Sequence, residues 1–166
     1  MQYHEARSKF IQTWGALGSQ WGINKTMAQI HALLMVSNDA VSMEDIMAEL
    51  HISRGNASMN LRALMDWGIV YKEYKPGERR EFFTAEKDLD ELAVKISRER
   101  SRREIKPALK ILKEVSVVEE NSAAARHFSD QTKKLYDFVL QADNALEKIT
   151  EYKDNWLAKL VVKLMK

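Results

Sequence analysis

In the run SRGNASMNLRAL, which starts at Ser53, polar and cationic side chains are interleaved with Ala57, Leu61 and Leu64 at steps of four and three. That spacing predicts one buried line on an α-helix, so Arg54, Gly55, Asn56, Ser58, Met59 and Arg62 fall on the opposite side. The chemistry open to such a face is recognition of an acceptor-rich surface. Arg can donate two bonds to guanine O6 and N7, Asn can pair the same way with adenine N6 and N7, and Ser suits a base or a phosphate. Gly55 lets the start of the helix approach a phosphate closely, and the free N–H groups of the helix terminus attract an anion. The local alternative is that Asn56 and Ser58 only satisfy capping needs while both arginines are solvated.

A second cationic group follows in YKEYKPGERREFF, at Lys72, Lys75, Arg79 and Arg80. A basic hairpin can lie along a phosphate backbone and insert an Arg into a narrow minor groove, a role that falls to Arg79 or Arg80. Lys72 and Lys75 read as phosphate contacts, which position without reading sequence. Glu73, Glu78 and Glu81 are competing surface partners, in weak pairs that phosphates can displace.

Other constellations carry less. Trp14, Trp21 and Trp67, with Tyr71 and Tyr74, offer aromatic faces of the kind that hold quaternary ammonium ions. The competing reading is packing, because Trp14 and Trp21 share one helical stripe and Trp67 ends a helix beside the hairpin. His4, His31, His51 and His127 make no pair at helical spacing, and the chain has no cysteine, so no metal site is expected. There is no Gly-rich phosphate loop, nucleophile elbow, metal-binding helix or triad. The expectation is a protein with no catalytic residues and no cofactor.

The elements that must position these groups follow from periodicity. Phe10, Trp14, Leu17 and Trp21 predict a first helix ended by Gly22, and Met27, Ile30, Leu33, Leu34 and Met35 a second that stops near Ser37-Asn38-Asp39. Ser42, with Asp45 three residues on, predicts the N-cap of a short third helix through Leu50. After the break at His51-Ile52, Ser53 caps a fourth that Gly68 terminates. Two short helices joined by a tight turn form the helix-turn-helix pattern. The period then changes: Ile69–Tyr74 and Glu81–Thr84 flank Lys75-Pro76-Gly77-Glu78, which reads as a β-hairpin. Helical periods return at Leu89, Leu92 and Ile96 and at Ile105, Leu109 and Leu112, with a break or kink expected at Pro107. A last stripe runs from Leu135 through Phe138, Val139, Ala142, Leu146 and Ile149 to Trp156, Leu157, Leu160, Val161 and Leu164. The fold class is mainly α with a small β-hairpin, a winged helix-turn-helix between N- and C-terminal helices.

Composition bounds the rest. The 166 residues, 45% hydrophobic and 30% charged, suit a soluble globular chain with one compact domain and extra helices. No apolar run is long enough to span a bilayer, and the N-terminal MQYHEARSKF does not read as a secretory signal, so a cytoplasmic address and no membrane partner are expected. The net charge of +2 argues little by itself. Its distribution is uneven: Asp39, Glu44, Asp45 and Glu49 form an acidic segment, and Lys95–Lys113 holds eight basic residues against Glu99 and Glu104.

On these residues the sequence resembles the MarR-like regulators, and more narrowly the GbsR branch, named for control of glycine betaine synthesis from choline. The resemblance rests on FIQTWGALGSQWGINKTMAQIHALL, on SMEDIMAELHISRGNASMNLRALMDWGIVYKEYKPGERREFFTAEKD and on the helical segment after it, covering about residues 7–115. It implies a bacterial homodimeric transcriptional regulator, by habit a repressor, that binds a pseudo-palindromic double-stranded DNA operator. The expected division is an N-terminal dimerisation helix over 1–24, the winged helix-turn-helix over 25–87 and a C-terminal dimerisation region over 88–166. Ser53, Arg54, Gly55, Asn56, Ser58 and Arg62, with Lys72, Lys75, Arg79 and Arg80, are the expected DNA contacts. Met59 stands where many MarR-like proteins carry a basic or polar residue, so it is left out of the expected base contacts, although a methionine could touch a thymine methyl. A small-molecule effector is the remaining expected partner, with Trp14, Trp21 and Trp67 as its candidate residues. The alternative reading is a winged helix used for protein assembly.

Overall fold

Residues 25–36, KTMAQIHALLMV, are apolar on almost every side, and a helix of that kind is stable only when surrounded. In the computed structural model, which describes the backbone of residues 1–164 and the side chains of residues 1–148, α1 spans Tyr3–Gln20 and α2 Lys25–Val36. Asn24 starts α2 by accepting from the Met27 N–H at 3.1 Å. Met27, Ala28, Ile30, His31, Ala32, Leu33 and Leu34 are all buried. The chain divides into two units, one over Met1–Lys95 and one that begins at Ile96.

In the first unit α1 lies against α2. The face that α1 buries is Ile11, Gly15 and Gly18, not the stripe Phe10, Trp14, Leu17 and Trp21 that hydrophobicity alone selects. A Cβ at Gly15 would stand 2.5 Å from Gln29 Cγ, and one at Gly18 2.5 Å from Ala28 Cβ. The two glycines therefore let the helix backbones approach, and the bulky rings are displaced to the flank. There Phe10 and Trp14 pair at 5.6 Å, while Trp21 is 55% exposed.

Next come β1 (Val41–Ser42), α3 (Met43–Leu50), α4 (Arg54–Asp66), β2 (Val70–Glu73) and β3 (Phe82–Ala85). Ser42 Oγ accepts from the Asp45 N–H at 3.1 Å and Ser53 Oγ from the Asn56 N–H at 3.3 Å, so both serines cap as their spacing predicts. His51 makes the turn between α3 and α4 in the left-handed region, at φ 52°. Gly68, at φ 70°, ends α4 with the Ile69 N–H bonded back to the Leu64 carbonyl. Pro76 and Gly77 occupy the hairpin turn, Gly77 at φ 80° and the Glu78 N–H closing on the Lys75 carbonyl at 3.1 Å, the geometry of a type II turn.

The sheet has three strands in the order β1-β3-β2, all antiparallel. The added strand pairs Val41 with Phe83 and Ser42 with Phe82; two residues are too few to show a period in sequence. Past β3, Lys87 Nζ donates to the carbonyls of Leu34, Met35 and Ser37 at 2.7, 2.8 and 2.7 Å. It thereby caps the C-terminus of α2 and ties the end of the hairpin to the central helix. Helix α5 (Leu89–Arg100) begins at Asp88, whose Oδ1 accepts from the N–H groups of Asp90 and Glu91. Lys95 Nζ donates to Glu86 and to the Tyr71 hydroxyl, each at 2.6 Å. Hydrogen bonds from Lys95 and then Tyr71 hold the Glu86 carboxyl down to about pKa 2.

In the second unit, the helix that carries α5 continues through a π-helical turn, Ser101–Ile105, into α6 (Lys106–Val115). The break expected at Pro107 is this widened turn: Pro107 sits in the first turn of α6, and the π-turn just before it keeps the chain helical where its ring would clash with an earlier carbonyl. Helix α7 (Ala123–Leu164) follows and packs on α6. Ser101 Oγ donates to the buried Asp143 Oδ1 at 2.5 Å. The side chains of Ile149, Trp156, Leu157, Leu160, Val161 and Leu164 lie outside the described residues. No helix among the described residues is long and apolar enough to cross a membrane.

His31 is 4% exposed. Burial, reinforced by Lys87, lowers its pKa from 6.5 to about 4. Between those values the unfolded chain binds the proton and the folded chain does not, so stability is complete above about pH 6.5 and declines as pH falls towards 4. Urea unfolding across that range should reveal a loss of roughly 2–3 kcal/mol from this group, and His31→Leu should flatten that part of the profile.

Candidate nucleic-acid interface

Helix α4 packs on α2 and α3 through Ala57, Asn60, Leu61 and Leu64, all buried. On the opposite face of the helix, Gly55, Met59 and Arg62 point outward. A Cβ at Gly55 would meet nothing within 4 Å, so no intramolecular contact requires a glycine there. Met59 is 62% exposed. Arg62 is exposed and makes no hydrogen bond or ion pair among the described residues.

The other recognition-helix candidates are engaged. Arg54 turns towards α3, with Nη2 2.7 Å from Glu44 Oε1 and Nη1 3.7 Å from Met43 Sδ. Glu44 is held below the usual carboxylate range, chiefly by a backbone hydrogen bond and then by Arg54. Ser53 is the cap already described, and Ser58 is half-buried. Asn56 has a partner that sequence patterning does not single out: Asn60 Nδ2 donates to its side-chain oxygen at 2.6 Å and to its main-chain carbonyl at 2.9 Å. Asn60 is buried beside the apolar line and orients the Asn56 amide from below. The one legible signal was an Asn four residues after another, the spacing at which helical amides meet.

On the wing, Lys72 pairs with Glu81 across the ladder, which raises the lysine pKa, and lies 5.4 Å over the Tyr74 ring. Arg80 donates from Nε and Nη2 to Glu78 at 3.2 and 3.1 Å. Lys75 sits 4.3 Å over the Phe82 ring and Arg80 5.2 Å from it. Arg79 is exposed and makes no hydrogen bond or ion pair among the described residues. The cations thus fall into three groups, with Arg62 and Arg79 unengaged among the described residues, Arg54, Lys72 and Arg80 each on a glutamate, and Lys75 on the Phe82 ring.

The remaining candidates are spread out. Trp14 lies within α1, Trp21 directly after it, and Trp67 directly after α4. Tyr71 and Tyr74 are both exposed, with Lys95 Nζ 5.3 Å from the ring of Tyr71 and Lys72 Nζ 5.4 Å from that of Tyr74. Most of the basic run Lys95–Lys113 is ion-paired: Lys95 with Glu86, Arg100 with Glu104, Arg102 and Arg103 with Glu99, and Lys106 with Glu147. Among the described residues no three His, Asp or Glu side chains gather as a metal site would need.

Because Gly55 is unneeded by the fold and costs helix stability, Gly55→Ala should stabilise the protein by roughly 0.5–1 kcal/mol. The check is a higher urea midpoint at unchanged slope.

Residues 21–81 match the model of the MarR family. The chain is 24% identical to the HTH-type transcriptional repressor GbsR of Bacillus subtilis (strain 168), over 94% of this chain and 84% of that protein. The fold is similar to a crystal structure of a transcriptional regulator with a TM-score of 0.68, at 16% identity, covering 90% of this chain and 99% of that one. These matches indicate regulation and not catalysis. The matched segment carries α2, α3, α4 and β2, so the helix-turn-helix is similar to that of the MarR family, and the chain over most of its length is similar to the GbsR repressor.

Proposed function

We propose that the protein is a homodimeric repressor that binds a pseudo-palindromic double-stranded DNA operator, with α4 in the major groove and the β2–β3 wing along the backbone and minor groove. The observation that carries this reading is the outward face of α4, where Gly55 has open space over it and Arg62 has no partner among the described residues. A glycine that costs helix stability and relieves no internal contact is explained by a surface that comes close from outside. Arg79 supplies the minor-groove cation, because Arg80 is already held by Glu78. Lys72, Arg54 and Arg80 exchange a glutamate for a phosphate or base on binding, an inexpensive exchange for exposed pairs.

Dimerisation is assigned to residues 1–24 and 88–166, which flank the reading head at 25–87. In support, Ile111, Val117 and Phe138 are 60%, 78% and 70% exposed, apolar side chains that a second copy would cover. The GbsR relative is a repressor by name. A small effector that prefers one spacing of the two heads would release the DNA without touching it.

Binding to a duplex should weaken steeply with salt. Arg62→Ala and Arg79→Ala should each lower the slope of log affinity against log salt by about one. Arg80→Ala should change it less, and Gly55→Ala should bind more weakly although it is more stable. A folded dimer whose duplex affinity ignores salt would contradict the reading.

A further inference from the structure

We propose that Met59 reads the 5-methyl group of a thymine in each operator half-site. The inference rests on the DNA-reading role of α4 and names what one position of that helix recognises.

Gly55, Met59, Arg62 and Asp66 recur at steps of four, three and four along α4, and none belongs to the buried line Ala57, Asn60, Leu61 and Leu64. Met59 therefore stands in the middle of the outward row, between the open space over Gly55 and the unengaged Arg62. At 62% exposure it contributes little to the core. An exposed thioether among polar neighbours is matched by a partner that presents an apolar spot among polar atoms. In the major groove of B-DNA one base carries such a spot: thymine, whose C5-methyl lies beside its O4 acceptor. The unbranched methionine side chain is long and flexible enough to follow that methyl without demanding a single rotamer.

The flanking residues give the contact a setting. The Asn56 amide is oriented by the buried Asn60, and Arg62 lies one turn towards the C-terminus from Met59. Both are donors suited to purine edges, so Met59 supplies the apolar element between two polar readers. It contributes discrimination more than affinity, since one methyl group is a small contact.

The test uses the full-length protein and a duplex that it binds, with each thymine replaced singly by deoxyuridine, which removes the methyl and leaves the pairing edge intact. One position in the half-site should weaken wild-type binding by about fourfold on replacement. Met59→Ala should bind the thymine and uracil duplexes equally, and Met59→Leu should restore the difference. Unfolding midpoints near that of the wild type would show both variants folded, as expected for an exposed position. The proposal is overturned if the wild type binds the duplex but no replacement separates it from Met59→Ala. Failure of the wild type to bind any duplex would instead remove the DNA-reading role itself, and this proposal with it.

Discussion

The rotation of α4 about its own axis decides which side chains it presents outward, and that rotation is set by the burial of Ala57, Leu61 and Leu64, each no more than 1% exposed. Each leucine gains about 1.5–3 kcal/mol from leaving water, and the gain is available only when this line faces α2 and α3. Turning the helix by one residue, about 100°, would surrender that burial and carry the outward row out of line. The backing must itself be firm. Helix α2 is enclosed by α1 through the Gly15 and Gly18 contact and is held at its C-terminus by Lys87. The outward row of α4, proposed as the reading face, is thus set by residues on its opposite, buried side.

Charge is arranged so that a near-neutral chain can still present cations where they matter. Glutamates stand beside Arg54, Lys72 and Arg80, which keeps the free protein from carrying a dense positive patch. Arg62 and Arg79 are left with no such partner among the described residues. Exposed pairs of this kind are worth little in water, so the glutamates orient the cations without locking them. The same logic accounts for the Lys95–Lys113 run, where Glu99 alone receives both Arg102 and Arg103; its cations are spent largely within the helices that carry them.

What sequence could show depended on how local the determining interaction was. The caps at Ser42 and Ser53, the stop at Gly68 and the turn at Pro76-Gly77 act over a few residues and were legible, as was the buried line of α4. Strand β1 was not, because it exists only through its pairing with Phe82 and Phe83. Hydrophobicity misled on α1, since glycine carries no apolar signal yet permits the closest helix approach. Pro107 signalled a disturbance, but its form, a π-turn and not a break, depends on how the surrounding helix adapts. The Lys87 clamp and the Asn60 support of Asn56 are also tertiary: each depends on side chains meeting across or along packed elements.

In the proposed mode of binding, two copies of the outward face of α4 act together on one duplex. Selection of bound sequences from random double-stranded DNA tests it most directly. The expected result is a pseudo-palindrome whose half-site centres lie one helical turn apart, about 34–36 Å, or a multiple of that distance. Recovery of a single site without two-fold symmetry, or of no preferred sequence at all, would contradict it.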